Sequence, residues 1–315
     1  MDSLLYDEHG YGDIHLVPDI DTLRLSTWHP KSANIICDVY DNKTHTLHPL
    51  APRTILRKQI DRSNDMGYIC MAASELEYYQ YKTSYRDAFK YHYLKHKVNP
   101  TGDYNEDYHL LQTSREEIYT AAFRQHLKSS GIPVENSKGE AGIGQHELNI
   151  SYSDILQMSD RHTIYKQCIK ELADTMNISV SFMAKPYTDA TGSGCHIHMS
   201  LHDASSTTYN NLFSGNDSLG PVNNVSHLFK HFLAGWMKYT PDVMVFYAPT
   251  INSYKRYQSA SWAPTRVAWS YDNRTAGYRI VGSGKSLRIE NRIPGADCSM
   301  YCSYTVTISV FIQQC

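Results

Sequence analysis

An α+β fold is predicted for this chain on three observations. From Asp13 to Leu50, apolar and polar residues alternate between turn signals at Pro18-Asp19, Pro30-Lys31 and Asp41-Asn42, as in a small sheet. Helical spacing then recurs along the chain. Between the helical stretches lie short segments with the two-residue period of strands.

The first helix is expected from Pro52, with Ile55, Leu56, Gln59 and Ile60 at helical spacing. A strand over Ser74 to Tyr81 (SELEYYQY) follows, then a loop region to about Ser114. Ser114 with Glu117 has the pattern of a capping box, which predicts a helix over Arg115 to Leu127. Strand Gly144 to Ile150 (GQHELNI) precedes a long helix from about Ser153 to Met176, whose Ile155, Tyr165, Ile169 and Leu172 can face a sheet. Strands are expected near Val180 to Ala184 and at Cys195 to Leu201 (CHIHMSL). A polar loop over Asp203 to Asn224, a helix from Val225 to Tyr239 and short strands complete the order. Tyr301 to Cys315 reads as the start of an apolar element without cap or polar tail. With the abrupt entry into a sheet near Met1, this suggests a shortened version of a larger unit.

The 315 residues, 41% hydrophobic and 20% charged, describe an ordinary globular chain with room for a large core in one domain or two. A net charge of −2 without a long basic run argues against nucleic-acid and membrane-surface partners. No apolar stretch reaches the ~20 residues needed to cross a bilayer, and MDSLLYDEHG lacks the character of a signal peptide. Seven scattered cysteines without C-x-x-C pairs fit a reducing compartment, so a cytoplasmic location is expected. The 25 tyrosines, many between Tyr78 and Tyr108, read as aromatic core whose hydroxyls find partners.

Four alternating segments gather polar groups on one side. CHIHMSL places His196, His198 and Ser200 opposite Cys195, Ile197, Met199 and Leu201. LRIENRI places Arg288, Glu290 and Arg292 together, SELEYY pairs Glu75 with Glu77, and GQHELNI aligns Gln145, Glu147 and Asn149. If these faces converge they line a charged cavity, where carboxylates stay ionised only with cations among them. The candidate ligands are Glu75, Glu77, Glu140, Glu147, His196 and Glu290. Oxygen donors with one imidazole suit Mg²⁺ or Mn²⁺ better than zinc. Gly282 to Ser286 (GSGKS) mimics the tail of a phosphate-binding loop, but Arg279 stands where the first glycine belongs and a strand pattern follows in place of a helix. Lys285 is kept as a possible phosphate or nucleotide contact.

SELEYY, GEAGIGQHE, GSGCHIHMSL, APTINSYKR, DNRTAGYRI and RIENRIPGAD, in this order, resemble the glutamine synthetase superfamily over nearly the whole sequence. The resemblance implies a partial N-terminal β-grasp domain over residues 1–51. A catalytic domain over 52–315 follows, with a curved antiparallel sheet flanked by helices and lacking its C-terminal end. It implies ATP-dependent ligation of an amine to the γ-carboxyl of L-glutamate through a γ-glutamyl phosphate, in a homo-oligomeric ring. One metal would be held by Glu77, Glu140 and Glu147 and the other by Glu75, His196 and Glu290. Gly192, Arg256 and Arg292 align with glutamate-binding positions, where a guanidinium fork suits a carboxylate. Arg274 and Arg279 align with residues that hold the ATP phosphates during transfer. Ser200 and Lys285 fall at nucleotide-contacting positions, and His198 either supports the site or packs as a buried histidine. The amine's proton goes to Glu290 or a nearby carboxylate.

Two departures from the family pattern bear on function. Ammonia-using members carry a glutamate six residues after the arginine of NSYKR, and here that position is Trp262. An indole takes no proton but stacks on an alkyl chain or a cation, which favours the branch that resembles γ-glutamylpolyamine synthetases. The other reading of Trp262 is a residue that packs a loop. The second departure is the shortened ends, with Thr191 where many relatives carry asparagine, which leaves a glutamine synthetase or a non-catalytic relative as alternatives.

Overall fold

The computed structural model describes residues 12–105, 107–206 and 210–313. Strands β1 (Ile14–Pro18), β2 (Arg24–Leu25), β3 (Ala33–Asn34) and β4 (Cys37–Asp41) form two small antiparallel pairs, β1 with β4 and β2 with β3. Helix α1 (Pro52–Asp65) carries proline in its first turn, where no intrahelical N–H is needed. The long strand β5 (Tyr68–Tyr81) follows and organises everything after it.

The segment expected to be loop holds two short helices, α2 (Tyr85–Lys90) and α3 (Leu110–Arg115), before α4 (Glu117–Ser129). Ser114 therefore does not cap. It lies inside α3, and its hydroxyl donates to the Leu110 carbonyl at 2.8 Å. The break falls at Glu116, whose carboxylate is spent on a very short contact with buried His146. Next come β6 (Val134–Gly139), β7 (Gln145–Ile150), β8 (Ser153–Asp154), α5 (Ile155–Thr175) and β9 (Ser179–Ser181). Strand β10 (Cys195–Asp203) leads to a hairpin of β11 (Ser214–Leu219) and β12 (Val222–Val225), within the stretch read as a polar loop. Helix α6 (His227–Tyr247) continues through Pro241, eight residues past its expected end. The last elements are α7 (Ile251–Tyr254), β13 (Trp269–Tyr271), β14 (Tyr278–Val281), β15 (Arg288–Asn291) and α8 (Met300–Ile312).

The main sheet has the order β13-β14-β15-β10-β5-β7-β6, with β8 and β9 also paired to β5. It is mixed, not wholly antiparallel as expected, because β13 runs parallel to β14 at one edge. The apolar positions of its strands, Leu76, Tyr78, Leu148, Ile197 and Ile289 among them, are almost fully buried in the core. Helices α1 and α5 lie against β5, and Tyr165 of α5 donates its hydroxyl to the Leu148 carbonyl at 3.1 Å. Helix α8, the apolar element at the end of the chain, packs between α1 and α6, with Phe311 against Phe232. Among the described residues no helix is long and apolar enough to cross a membrane.

Candidate active site

Register turns the polar strand faces into one surface. Glu75 on β5 is the partner of His196 on β10 and of Asn149 on β7, and Glu77 is the partner of Glu147. His198 pairs with Glu290 on β15, which pairs in turn with Arg279 on β14. Because each strand alternates, burying its leucines and isoleucines forces these groups to the other side.

The six predicted ligands fall into two triads, Glu75 with His196 and Glu290, and Glu77 with Glu140 and Glu147, each offering ligand atoms within 4.8 Å of one another. His196 connects them: its Nδ1 is 3.2 Å from Glu75 and 3.5 Å from Glu290, and its Nε2 is 3.8 Å from Glu77. Burial opposes ionisation of Glu75, but hydrogen bonding to His196 and His198 outweighs it and holds the carboxyl far below its ordinary range. Glu140 behaves oppositely. Burial, reinforced by the charges of Glu77 and Glu147, pushes it up to about 9. A carboxyl whose ionisation is opposed by two neighbouring carboxylates marks a place short of positive charge, which a divalent cation would supply. Oxygen-rich triads with one imidazole fit a hard divalent ion.

Part of that charge comes from Lys138 of β6, which the sequence reading missed. Its register partner is Glu147, its ammonium contacts that carboxylate closely, and Glu140 lies 3.6 Å away. Asn149 Nδ2 donates to Glu147 at 2.7 Å, while the Gly194 N–H and Gln145 Nε2 donate to Glu77 at 2.7 and 3.3 Å. Glu290, fully buried, accepts from Arg292 Nη1 at 2.5 Å and from Arg279 Nη1 at 2.9 Å. Burial works against its charge, yet His196, His198 and Arg292 keep it below the usual carboxylate value.

A single cleft brings together Glu75, Glu77, Glu140, Glu147 and His196 with Gly192, Arg256, Arg292, Arg274 and Trp262. At Gly192 a Cβ would lie 2.6 Å from the Ala184 carbonyl and 2.8 Å from Arg256 Cγ, so only glycine fits there. Arg256 departs from the expected free fork: its Nη1 and Nη2 donate to the carbonyls of Ile293 and Arg292 at 2.7 and 3.0 Å. Arg292 keeps a buried Nε without a partner. His198 contacts Glu75 at 2.9 Å and accepts from Arg288 at 3.1 Å, a supporting position outside the cleft lining. Ser200 bonds His202, Lys285 is exposed on a short turn before β15, and neither lines the cleft. That turn opens no helix, as expected of a sequence that only mimics a phosphate loop. Asp107 and Tyr108 also line the cleft, and the sequence had given neither of them a role.

The fold and these triads define a carboxylate-rich catalytic domain, and comparison with known proteins gives its family. The family model described as "Glutamine synthetase, catalytic domain" matches residues 49–312. The chain belongs to the glutamine synthetase family. It is 39% identical to a γ-glutamylethanolamide synthetase from Streptomyces coelicolor over 93% of its own length and 61% of the relative's. It is 37% identical to a glutamate–isopropylamine ligase from a Pseudomonas species, over 93% and 62%. The chain thus spans about three fifths of the length of these curated relatives. A solved structure described as a GmaS/ADP complex superposes with a TM-score of 0.83 at 25% identity, covering 96% of this chain and 67% of that one.

Proposed function

We propose that this chain carries the machinery of an ATP-dependent ligase joining the γ-carboxyl of L-glutamate to an amine larger than ammonia, a monoamine or polyamine. The observation that carries this reading is the pair of triads bridged by His196 in the same cleft as Trp262. Relatives named as a γ-glutamylethanolamide synthetase and as ligases of glutamate with isopropylamine and with methylamine support it.

In this reading Glu77, Glu140 and Glu147 hold one divalent cation, Mg²⁺ or Mn²⁺, and Glu75, His196 and Glu290 the other. Bound there, such ions neutralise and orient the ATP phosphates. Arg292, with its unpartnered Nε, and Gly192 seat glutamate, while Arg256 braces the backbone around them. Arg274, which lines the cleft, offsets charge on the migrating phosphoryl group, while Arg279, Ser200 and Lys285 lie outside that lining and would meet only a part of the nucleotide that extends beyond it. A γ-carboxylate oxygen attacks the terminal phosphorus and ADP leaves. The neutral amine nitrogen then attacks the acyl carbon and expels phosphate. The amine's proton passes to a carboxylate that lines the cleft, which Glu290 does not. Ring assembly of copies belongs to the same reading, and outward-facing Leu110, Leu111 and Ile118 offer apolar surface for it.

The test is ADP release by the full chain with ATP, glutamate and Mg²⁺, with ammonium, ethanolamine, isopropylamine or putrescine as acceptor. Release supported by an organic amine above ammonium is expected, and its loss in Glu77→Ala. No release with any acceptor would defeat the proposal.

A further inference from the structure

We infer that Asp107 is a specificity-determining residue: with Tyr108 and Trp262 it seats the second, non-reacting ammonium of a diamine, so that the preferred acceptor is dicationic. This rests on the ligase reading above and names the acceptor class. The carboxylates lining the cleft are Glu75, Glu77, Glu140, Glu147 and Asp107. The first four belong to the triads. Asp107 belongs to neither, and among the described residues its carboxylate makes no hydrogen bond or ion pair.

The backbone around it is fixed to the site. Asp107 N donates to Asn105 Oδ1 at 2.8 Å, and Tyr108 N donates to the Gly139 carbonyl at 3.5 Å, next to Glu140. Tyr108 stands at φ 54°, a left-handed conformation uncommon for a bulky residue. The cleft's two large rings, Tyr108 and Trp262, keep 62% and 56% of their surface exposed. Lys138 lies 5.9 Å over one side of Tyr108, which leaves the other side to a ligand.

An alkyl chain ending in an ammonium matches this wall at both ends. Its methylenes cover ring surface, and its charge meets the ring faces and a carboxylate. A neutral tail would use the rings and leave Asp107 unpaired. The guanidiniums on the cleft do not satisfy it either: Arg256 is held by carbonyls and Arg292 by Glu290, while Arg274 is exposed to solvent.

The experiment compares putrescine with length-matched n-butylamine, by calorimetric titration of the full chain and by amine-dependent ADP release. The wild type is expected to bind putrescine about fivefold tighter, the scale of one exposed ion pair with a cation–π contact. Asp107→Asn is expected to cut that preference to about twofold, the share that the ring faces retain. Equal affinities in the wild type, or a preference undiminished in Asp107→Asn, overturns the inference. Absence of ADP release with every amine while the binding preference persists strikes the ligase reading and leaves Asp107 as the ammonium seat. The wild-type comparison needs no variant to fold.

Discussion

Arg279 and Glu290 are register partners across β14 and β15, and Arg279 Nη1 donates to Glu290 Oε2 at 2.9 Å. The arginine is itself braced by Asp272, to which its Nε donates at 3.1 Å. Glu290 has no access to water, so its second oxygen depends on this bond. Arg279→Ala should therefore lower stability by about 3 kcal/mol, as expected when one partner of a buried pair is removed. Urea denaturation measures this. A cost near zero would mean that Glu290 is not held by charge from both sides.

Cation binding should be visible without turnover. A ligand that binds only the folded state raises its stability, by about 2.7 kcal/mol at a hundredfold excess over Kd. Mg²⁺ or Mn²⁺ should raise the melting temperature of the wild type, and Glu147→Ala and Glu75→Ala should each remove only the part of the rise that belongs to its own triad. Calorimetry on each variant should find one class of site lost and one retained, because the two alanines fall in different triads. If either substitution removed both classes, the triads would be one site.

How much of this was legible in the chain depends on whether the signal was local. The two-residue period identifies the faces carrying Glu75, Glu77, His196 and Glu290 because burying Leu76, Ile197 and Ile289 leaves no other choice. Strand β6 (VENSKG) has one apolar residue and no such signal, and Lys138 was missed with it. The β11–β12 hairpin is hidden for the same reason, its central positions being Gly, Asn, Asp and Ser. Ser114 shows the converse failure: a correct local pattern was overridden when Glu116 found a distant partner in His146. Arg256 could be placed in the site by its motif, but its two backbone acceptors come from residues 292 and 293, a contact that no spacing rule reveals.

Asp19 gives a pH dependence independent of the catalytic cleft. Hydrogen bonding to Arg53 holds its carboxyl below the ordinary 3.8 against the opposing effect of burial, with the charges of Arg53 and Arg57 adding to the effect. A depressed folded-state value means that the unfolded chain binds the proton more readily. The contribution to stability is therefore complete above about 3.8 and is lost as pH falls toward the folded value. Asp19→Asn should be less stable than wild type at neutral pH, with the gap closing below pH 3.8. Denaturant midpoints across that range decide it, and a gap independent of pH would assign the effect to packing.

Trp262 offers the sharpest test of acceptor choice. Its ring lines the cleft and stays more than half exposed, so replacing it should disturb neither the core nor the triads. Trp262→Glu places a carboxylate where an ammonium ion could be deprotonated, while removing the surface on which an alkyl chain stacks. The ratio of kcat/KM for ammonium over isopropylamine should rise by about a hundredfold, the lower end of what a positioned base contributes. Trp262→Phe keeps an aromatic face and should preserve the preference for the larger amine with a modest rise in KM. If both variants left the ratio unchanged, the indole would be packing a loop, and the acceptor would be selected elsewhere in the cleft.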